Sequence, residues 1–273
     1  MEILLKSRII TALILAPIVA GAVFYLPIAW FALFFWGVAA LAAYEWAGLF
    51  GARSLWQKML FVLGFGLLAG VLFWLDVPFR KAIFEPLLLL GCLFWAGACV
   101  AVLLYPKGQG LFQHPLFLGL IGLWVVVLAW ICLVVIRSQT NGELWLIWMF
   151  FLVWCADIGA YFAGRWKGRS PLAPQVSPKK SWEGVAGGVV LSGVLCGGAV
   201  MLTTHNPIFW LMVTLALVGI AVFGDLFESL VKRATGVKDS GTILPGHGGM
   251  LDRVDSILAV LPFFALLLLQ FSA

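Results

Sequence analysis

Continuous apolar runs of some 17–22 residues recur along this chain, and they restrict its fold more than any other feature. Each is close to the length at which a helix crosses a hydrocarbon core, for which about 20 residues are needed. The runs do not alternate apolar with polar residues, which argues against a transmembrane barrel. Charged residues make up 11% of the sequence and hydrophobic ones 63%, whereas soluble domains carry about 25% charged residues. The expected fold is therefore an all-α, polytopic integral membrane protein with no separate soluble domain. Nine spans are expected, at 9–27, 28–49, 59–75, 86–105, 116–136, 144–163, 184–203, 208–224 and 256–272. The first two, joined around Pro27, also fit a shallow hairpin. Lys6 and Arg8 ahead of Ile9 mimic a secretion signal, but that apolar stretch runs straight into the next without a small-residue cleavage site. It is read as a span.

The charges orient the scheme. With the N-terminus in the cytoplasm, 14 of the 17 cations fall in cytoplasmic segments, and Arg80, Lys81 and Arg137 fall outside. Cytoplasmic retention of positive charge supports this orientation. The formal charge of +5 thus reflects topology, and nucleic acid is not an expected partner. Cys92, Cys99, Cys132, Cys155 and Cys196 all lie in apolar runs with no CxxC pair, so buried thiols are expected. Residues 1–140 read as scaffold. Residues 141–273 read as the catalytic region of the same membrane domain, with long cytoplasmic segments at 164–183 and 225–255.

The segment from Asp225 to Asp255 holds nine of the chain's 29 charged residues. On a continuing helix, Asp225, Glu228, Ser229 and Lys232 share one face; for Glu228 a solvated pair with Lys232 is an equally good account. The glycines at 236, 241, 246, 248 and 249, with Pro245, exclude a regular helix. Glycines let backbone N–H groups approach an anion, so this loop is a candidate phosphate cradle from which Lys238 and Asp239 project. His247 suits a phosphate contact, a metal bond or a turn. Asp252 and Asp255, at i and i+3 around Arg253, open the last span. Mg²⁺ is usually held by one or two carboxylates plus phosphate oxygens and water, which Asp225 and Asp252 would provide.

A second constellation lies upstream. Asp157 sits inside a span, where a carboxylate costs roughly 2.5–3.5 kcal/mol and should face a cavity or partner. Ser177, Lys179, Lys180 and Glu183 follow in SPKKSWEG. Arg165, Lys167 and Arg169 are explained by attraction to anionic lipid. Glu45 lies within about a turn of a span end and is read as snorkelling, outside the site. A transporter would place such groups near mid-membrane in repeated halves; here the charges gather at one face and no repeat is visible.

Ser229-x-Val231-Lys232-Arg233, Lys238-Asp239-x-Gly241 and Leu244-Pro245-x-His247-Gly248-Gly249-Met250-x-Asp252-Arg253-Val254-Asp255 together resemble the signature of phosphatidate cytidylyltransferases, or CDP-diacylglycerol synthases. Asp157…Ala160-Tyr161…Gly164-Arg165 and Ser177-Pro178-Lys179-Lys180…Glu183-Gly184 are also similar to that family, with Ser181 where Thr is common. The resemblance covers about residue 145 to the end. It implies the reaction of CTP with phosphatidic acid to CDP-diacylglycerol and pyrophosphate, Mg²⁺ with a second, monovalent cation such as K⁺, and a homodimer in the bilayer. Its carried-over roles are Asp225, Asp252 and Asp255 for metal, and Ser229, Lys232, Arg233, Lys238, Asp239, His247 and Arg253 at the reacting phosphates. Asp157, Ser177, Lys179, Lys180 and Glu183 would bind substrate. The chain length points to a bacterial inner membrane, with the site facing the cytoplasm. A CTP-dependent lipid kinase and an inactive scaffold are the alternatives within this resemblance.

Overall fold

Each apolar run satisfies its own backbone hydrogen bonds by becoming a helix, the economical solution in lipid. The computed structural model describes residues 2–203, 206–241, 243 and 248–271. Helices α1 (Glu2–Tyr25), α2 (Ile28–Leu49) and α3 (Leu55–Leu104) come first, followed by a 3₁₀ turn, Gln109–Gln113. Next are α4 (Pro115–Arg137), α5 (Gly142–Lys167), the hairpin β1 (Pro171–Ala173) and β2 (Ser177–Ser181), α6 (Trp182–Ser192), a π-helical turn (Gly193–Gly197), α7 (Gly198–Thr203), α8 (Pro207–Ala234) and α9 (Leu251–Phe271).

Among the described residues, seven segments are long and apolar enough to cross a membrane: 28–49, 55–74, 84–104, 115–137, 142–167, 182–200 and 207–234. The expected spans 59–75 and 86–105 both lie on α3, because the connection between them is helical and not a loop. A helix needs no outside partner for its backbone, so a short connection loses nothing by continuing it. Span 184–203 is likewise built from α6, the π turn and α7. Expected spans 9–27 and 256–272 overlap α1 and α9, which are not among those seven. Ser54 starts α3 through a capping box, accepting from the Gln57 N–H at 3.2 Å while Gln57 Oε1 accepts from the Ser54 N–H at 3.1 Å.

Helices α4 and α9 form the centre. On α4, Val125 to Ile136 are all buried, and α9 buries Leu258 to Leu261, Phe264, Ala265 and Leu268. Indole donors lock α2 onto α4: Trp46 Nε1 donates to Leu118 O and Trp130 Nε1 donates to Ala32 O, both at 2.8 Å. Unpaired, each buried N–H would carry a desolvation penalty of about 1–3 kcal/mol. Cys132, Cys155 and Cys196 are buried and all five thiols are free, in keeping with the expected role as small core residues.

Candidate active site

Close helix approaches bring the polar residues together. A Cβ on Gly159 would lie 2.4 Å from Gly187 O, and one on Gly188 would lie 2.7 Å from Ala156 O, so α5 and α6 meet backbone to backbone. That contact sets the hairpin, which precedes α6, beside the part of α5 that carries Asp157. On α8, a Cβ at Gly224 would lie 2.8 Å from Asp255 O, which puts Asp225 next to Asp255 of α9. The hairpin is antiparallel, pairing Pro171 with Ser181 and Ala173 with Ser177. Arg233 Nε donates to Val176 O at 3.2 Å and ties the hairpin to α8.

One polar cluster gathers around Lys180. Its Nζ lies 2.5 Å from Asp225 Oδ2, and Ser229 Oγ donates to Asp225 Oδ1 at 3.4 Å. Asp157 is within electrostatic range of Asp225, Lys180 and Arg253, and Asp255 is within range of Asp225, Glu228, Lys180 and Asp157. Asp255 Oδ1 also accepts from the Ser256 N–H at 2.7 Å. Three acids, Asp157, Asp225 and Asp255, thus meet two cations, Lys180 and Arg253, here. Asp157 and Arg253 line the polar end of a cavity of about 580 Å³, whose remaining walls are apolar side chains of α1, α2, α4, α5 and α9.

A second cluster is closed on itself. Lys232 Nζ lies 2.6 Å from both Glu228 Oε2 and Asp252 Oδ1. The other Asp252 oxygen accepts from the Gly249 N–H at 2.8 Å and the Ser240 N–H at 3.2 Å. Glu228 is buried, so the expected Glu228–Lys232 pair forms but in the protein interior and not at a solvated helix end. Leu226, Phe227, Leu230 and Val231 fill the opposite face of α8 and are buried too. Glu45 joins this cluster, and the snorkelling expected of it is not observed. It is 2% exposed, and Oε2 accepts from the Leu251 N–H at 2.8 Å and from Ser240 Oγ at 3.4 Å. A glutamate stem is too short to carry a charge out of a helix whose flanks are packed, so the carboxylate finds donors inside. The available sequence signal was the insertion cost of an acid within an apolar run.

Three of the loop's glycines, expected to open its backbone to phosphate, lie against these acids, whereas Gly236 has open space around it at φ +75°. A Cβ at Gly241 or Gly249 would lie 2.4 Å from a Glu45 oxygen, and one at Gly248 would lie 2.8 Å from Asp252 Oδ2. The N–H groups of Ser240, Gly249 and Leu251 are spent on carboxylates. His247 lies outside the described residues, as do Leu244, Pro245 and Gly246.

The remaining expected residues are spread around the two clusters. Neighbouring residues on a strand face opposite ways, so Lys180 meets Asp225 while Lys179 is exposed. Ser177 is half-buried on β2, and Lys238 and Asp239 are exposed on the loop after α8. Glu183 accepts from the N–H groups of Arg169 and Ser170 at 3.2 Å and thereby shapes the loop before β1. Ser181 caps α6 by accepting from the Gly184 N–H at 3.1 Å. Among the described residues no three His, Cys, Asp or Glu side chains meet at metal-ligating distance.

Comparison with known proteins places this arrangement. A protein called phosphatidate cytidylyltransferase from Pseudomonas aeruginosa is 40% identical over 97% of this chain and 97% of its own length. One of the same name from Haemophilus influenzae is 34% identical over 96% of this chain and 98% of its own. A Bacillus subtilis protein of that name matches 48% of this chain and 49% of its own at 46% identity. The profile of the Cytidylyltransferase family matches residues 6–271. A match that runs through both clusters and through the helices that hold them shows that this chain belongs to the cytidylyltransferase family of enzymes.

Proposed function

We propose that the chain transfers the cytidylyl group of CTP to the phosphate of phosphatidic acid, giving CDP-diacylglycerol and pyrophosphate. The observation that carries this is the joining of the Lys180 cluster to an apolar cavity: Asp157 and Arg253 stand at the polar end, and the walls run down to Leu261 and Phe150. A substrate that fits both parts has an anionic head and an acyl tail. The relatives' name and the family support the same chemistry. In the proposed reaction, an oxygen of the lipid phosphate attacks the α-phosphorus of CTP. The bond from that phosphorus to the oxygen bridging to the β-phosphate breaks, and pyrophosphate leaves with the electron pair.

The lipid phosphate is already anionic, so no strong base is required of the protein. What it needs is charge neutralisation and in-line placement. Lys180 is positioned to neutralise phosphate beside Asp225, and Lys232 beside Asp252. Arg233 and Lys238 flank them, and Lys179 offers its ammonium from the exposed face of β2. Asp157 and Arg253 orient the lipid head at the cavity mouth.

The residues present fit Mg²⁺. The candidate donors are carboxylate oxygens, and Asp225 and Asp252 each already pair with one cation, Lys180 at 2.5 Å and Lys232 at 2.6 Å, which supports the reading. Asp225 and Asp252 are the proposed ligands, with Asp255 beside them, since Mg²⁺ takes few carboxylates and completes its shell with phosphate and water. When bound, Mg²⁺ supplies neutralisation of the phosphate oxygens. Both clusters are proposed to face the cytoplasm from a bacterial inner membrane, where the cations of the neighbouring segments favour them.

The test is pyrophosphate release by the purified protein in mixed micelles with CTP and phosphatidic acid, with Mg²⁺ and with chelator. Product that requires lipid and metal, with CDP-diacylglycerol formed, is the expected result. Folded protein that makes no CDP-diacylglycerol removes phosphatidate as substrate.

A further inference from the structure

We propose that Glu45, on the N-terminal half of the chain, is a positioning residue: it clamps the loop that holds Asp252 and Lys232 in register for the reaction. The inference rests on the reaction proposed above. It begins with a carboxylate where one is expensive. Glu45 is four residues from the end of α2 and is buried, although an acid within a span costs roughly 2.5–3.5 kcal/mol on insertion scales. Such a group persists when something depends on it. Here two donors of the glycine loop do, since Oε2 accepts from the Leu251 N–H and the Ser240 hydroxyl. Leu251 is the first residue of α9. Its N–H is one of the donors that a helix start leaves unpaired, and negative charge is favoured there.

The loop is also shaped to fit this carboxylate. Gly241 and Gly249 are eight positions apart in the loop, yet a Cβ on either would collide with a Glu45 oxygen at 2.4 Å. Two glycines at such positions leave room for the acid and not for a ligand. Glu45 is itself held firmly, because Trp46 donates to Leu118 O and its indole fills the slot left by Gly122, where a Cβ would lie 2.1 Å from the ring. From Glu45 the contacts pass through Ser240 to Asp252, which accepts from the Ser240 N–H, and from Asp252 to Lys232. An apolar residue of the same size would fill the space but leave the Leu251 N–H and the Ser240 hydroxyl without their acceptor, freeing the loop.

The experiment uses the full-length protein in nanodiscs and combines amide hydrogen exchange over residues 238–252 with steady-state kinetics. In Glu45→Met, which removes the acceptor at similar size, the amides of Ser240, Gly249 and Leu251 are expected to exchange at least about tenfold faster, since their protection comes from local closure. The kcat is expected to fall at least about tenfold, with KM for CTP changed less than about threefold, because an interaction used in the transition state is lost. Glu45→Asp, which keeps the charge, should recover part of both. Unchanged exchange, or a loss confined to KM, overturns the proposal. Should Glu45→Met fail to fold, Gly241→Ala presses a methyl on the intact carboxylate; faster loop exchange supports the clamp and unchanged exchange overturns it. A wild type that makes no product with any phosphatidate, while its loop responds to Glu45→Met, overturns the reaction and not the clamp.

Discussion

The two carboxylate clusters use the same residue types and are treated by the fold in opposite ways. Around Lys232, side chains of Glu228 and Asp252 are 4% and 10% exposed, and the loop wraps its N–H groups onto Asp252 and Glu45. Around Lys180, the lysine and Asp225 are 26% and 30% exposed, and the cluster opens onto an apolar cavity. A buried charge is tolerated only when it is paired and hydrogen-bonded, so the closed cluster spends most of its bonding capacity on holding α8, α9, α2 and the loop together, with Glu45 Oε1 and Glu228 Oε1 the buried oxygens that find no partner among the described residues. The open cluster keeps capacity for a ligand. Charged residues of one motif thus differ in access: the Lys232 group ties the scaffold together as well as taking its proposed place at the phosphates, whereas the Lys180 group lies open to water and lipid.

That comparison is sharpest at the acids. Asp225→Asn removes the partner of Lys180 and Ser229 at the open cluster, and CDP-diacylglycerol formation is expected to fall about 10³-fold. Its melting temperature should stay near the wild type. A loss below tenfold, or a large drop in melting temperature, would break the distinction. Lys232→Met tests the closed side: it strands Glu228 and Asp252 in the interior, which should destabilise the protein by about 3–5 kcal/mol alongside its loss of activity. Denaturation in mild detergent reads this out, and an unchanged midpoint would show that the cluster is not structural.

Smaller effects probe the surroundings. Ala129 is buried on the cavity wall, and Ala129→Phe should lower the use of long-chain relative to short-chain phosphatidate by about tenfold, the range of a change in apolar fit. Competition between the two lipids in one micelle measures the ratio directly; an unaltered ratio would separate the cavity from the acyl tail. Ser181→Ala removes the α6 cap and should cost about 1 kcal/mol in stability, with turnover within threefold of wild type. A turnover loss larger than that would place Ser181 nearer the chemistry than its cap suggests.

The spans were legible in the sequence because helix formation in lipid is a local matter: a run of apolar residues determines it without reference to any neighbour. For the same reason the polar residues stood out, since acids and lysines between such runs are costly unless used. Their grouping was not legible. Asp225, Ser229, Glu228 and Lys232 share a face of α8, yet Ser229 turns back to Asp225 while Lys232 reaches across to Asp252 on α9. Lys179 and Lys180, adjacent in sequence, part because a strand alternates its faces. Glu45 was set aside because its partners lie some 200 positions away, and that Gly241 and Gly249 lie against its carboxylate was equally out of reach of the sequence. Local composition by itself determined a bundle of apolar helices, and the charged motif between them carried the resemblance to an enzyme family. Which of those charges is sealed into the scaffold and which is left facing a cavity was decided by tertiary packing, because hydration and hydrogen-bond partners are properties of the assembled bundle and not of the chain.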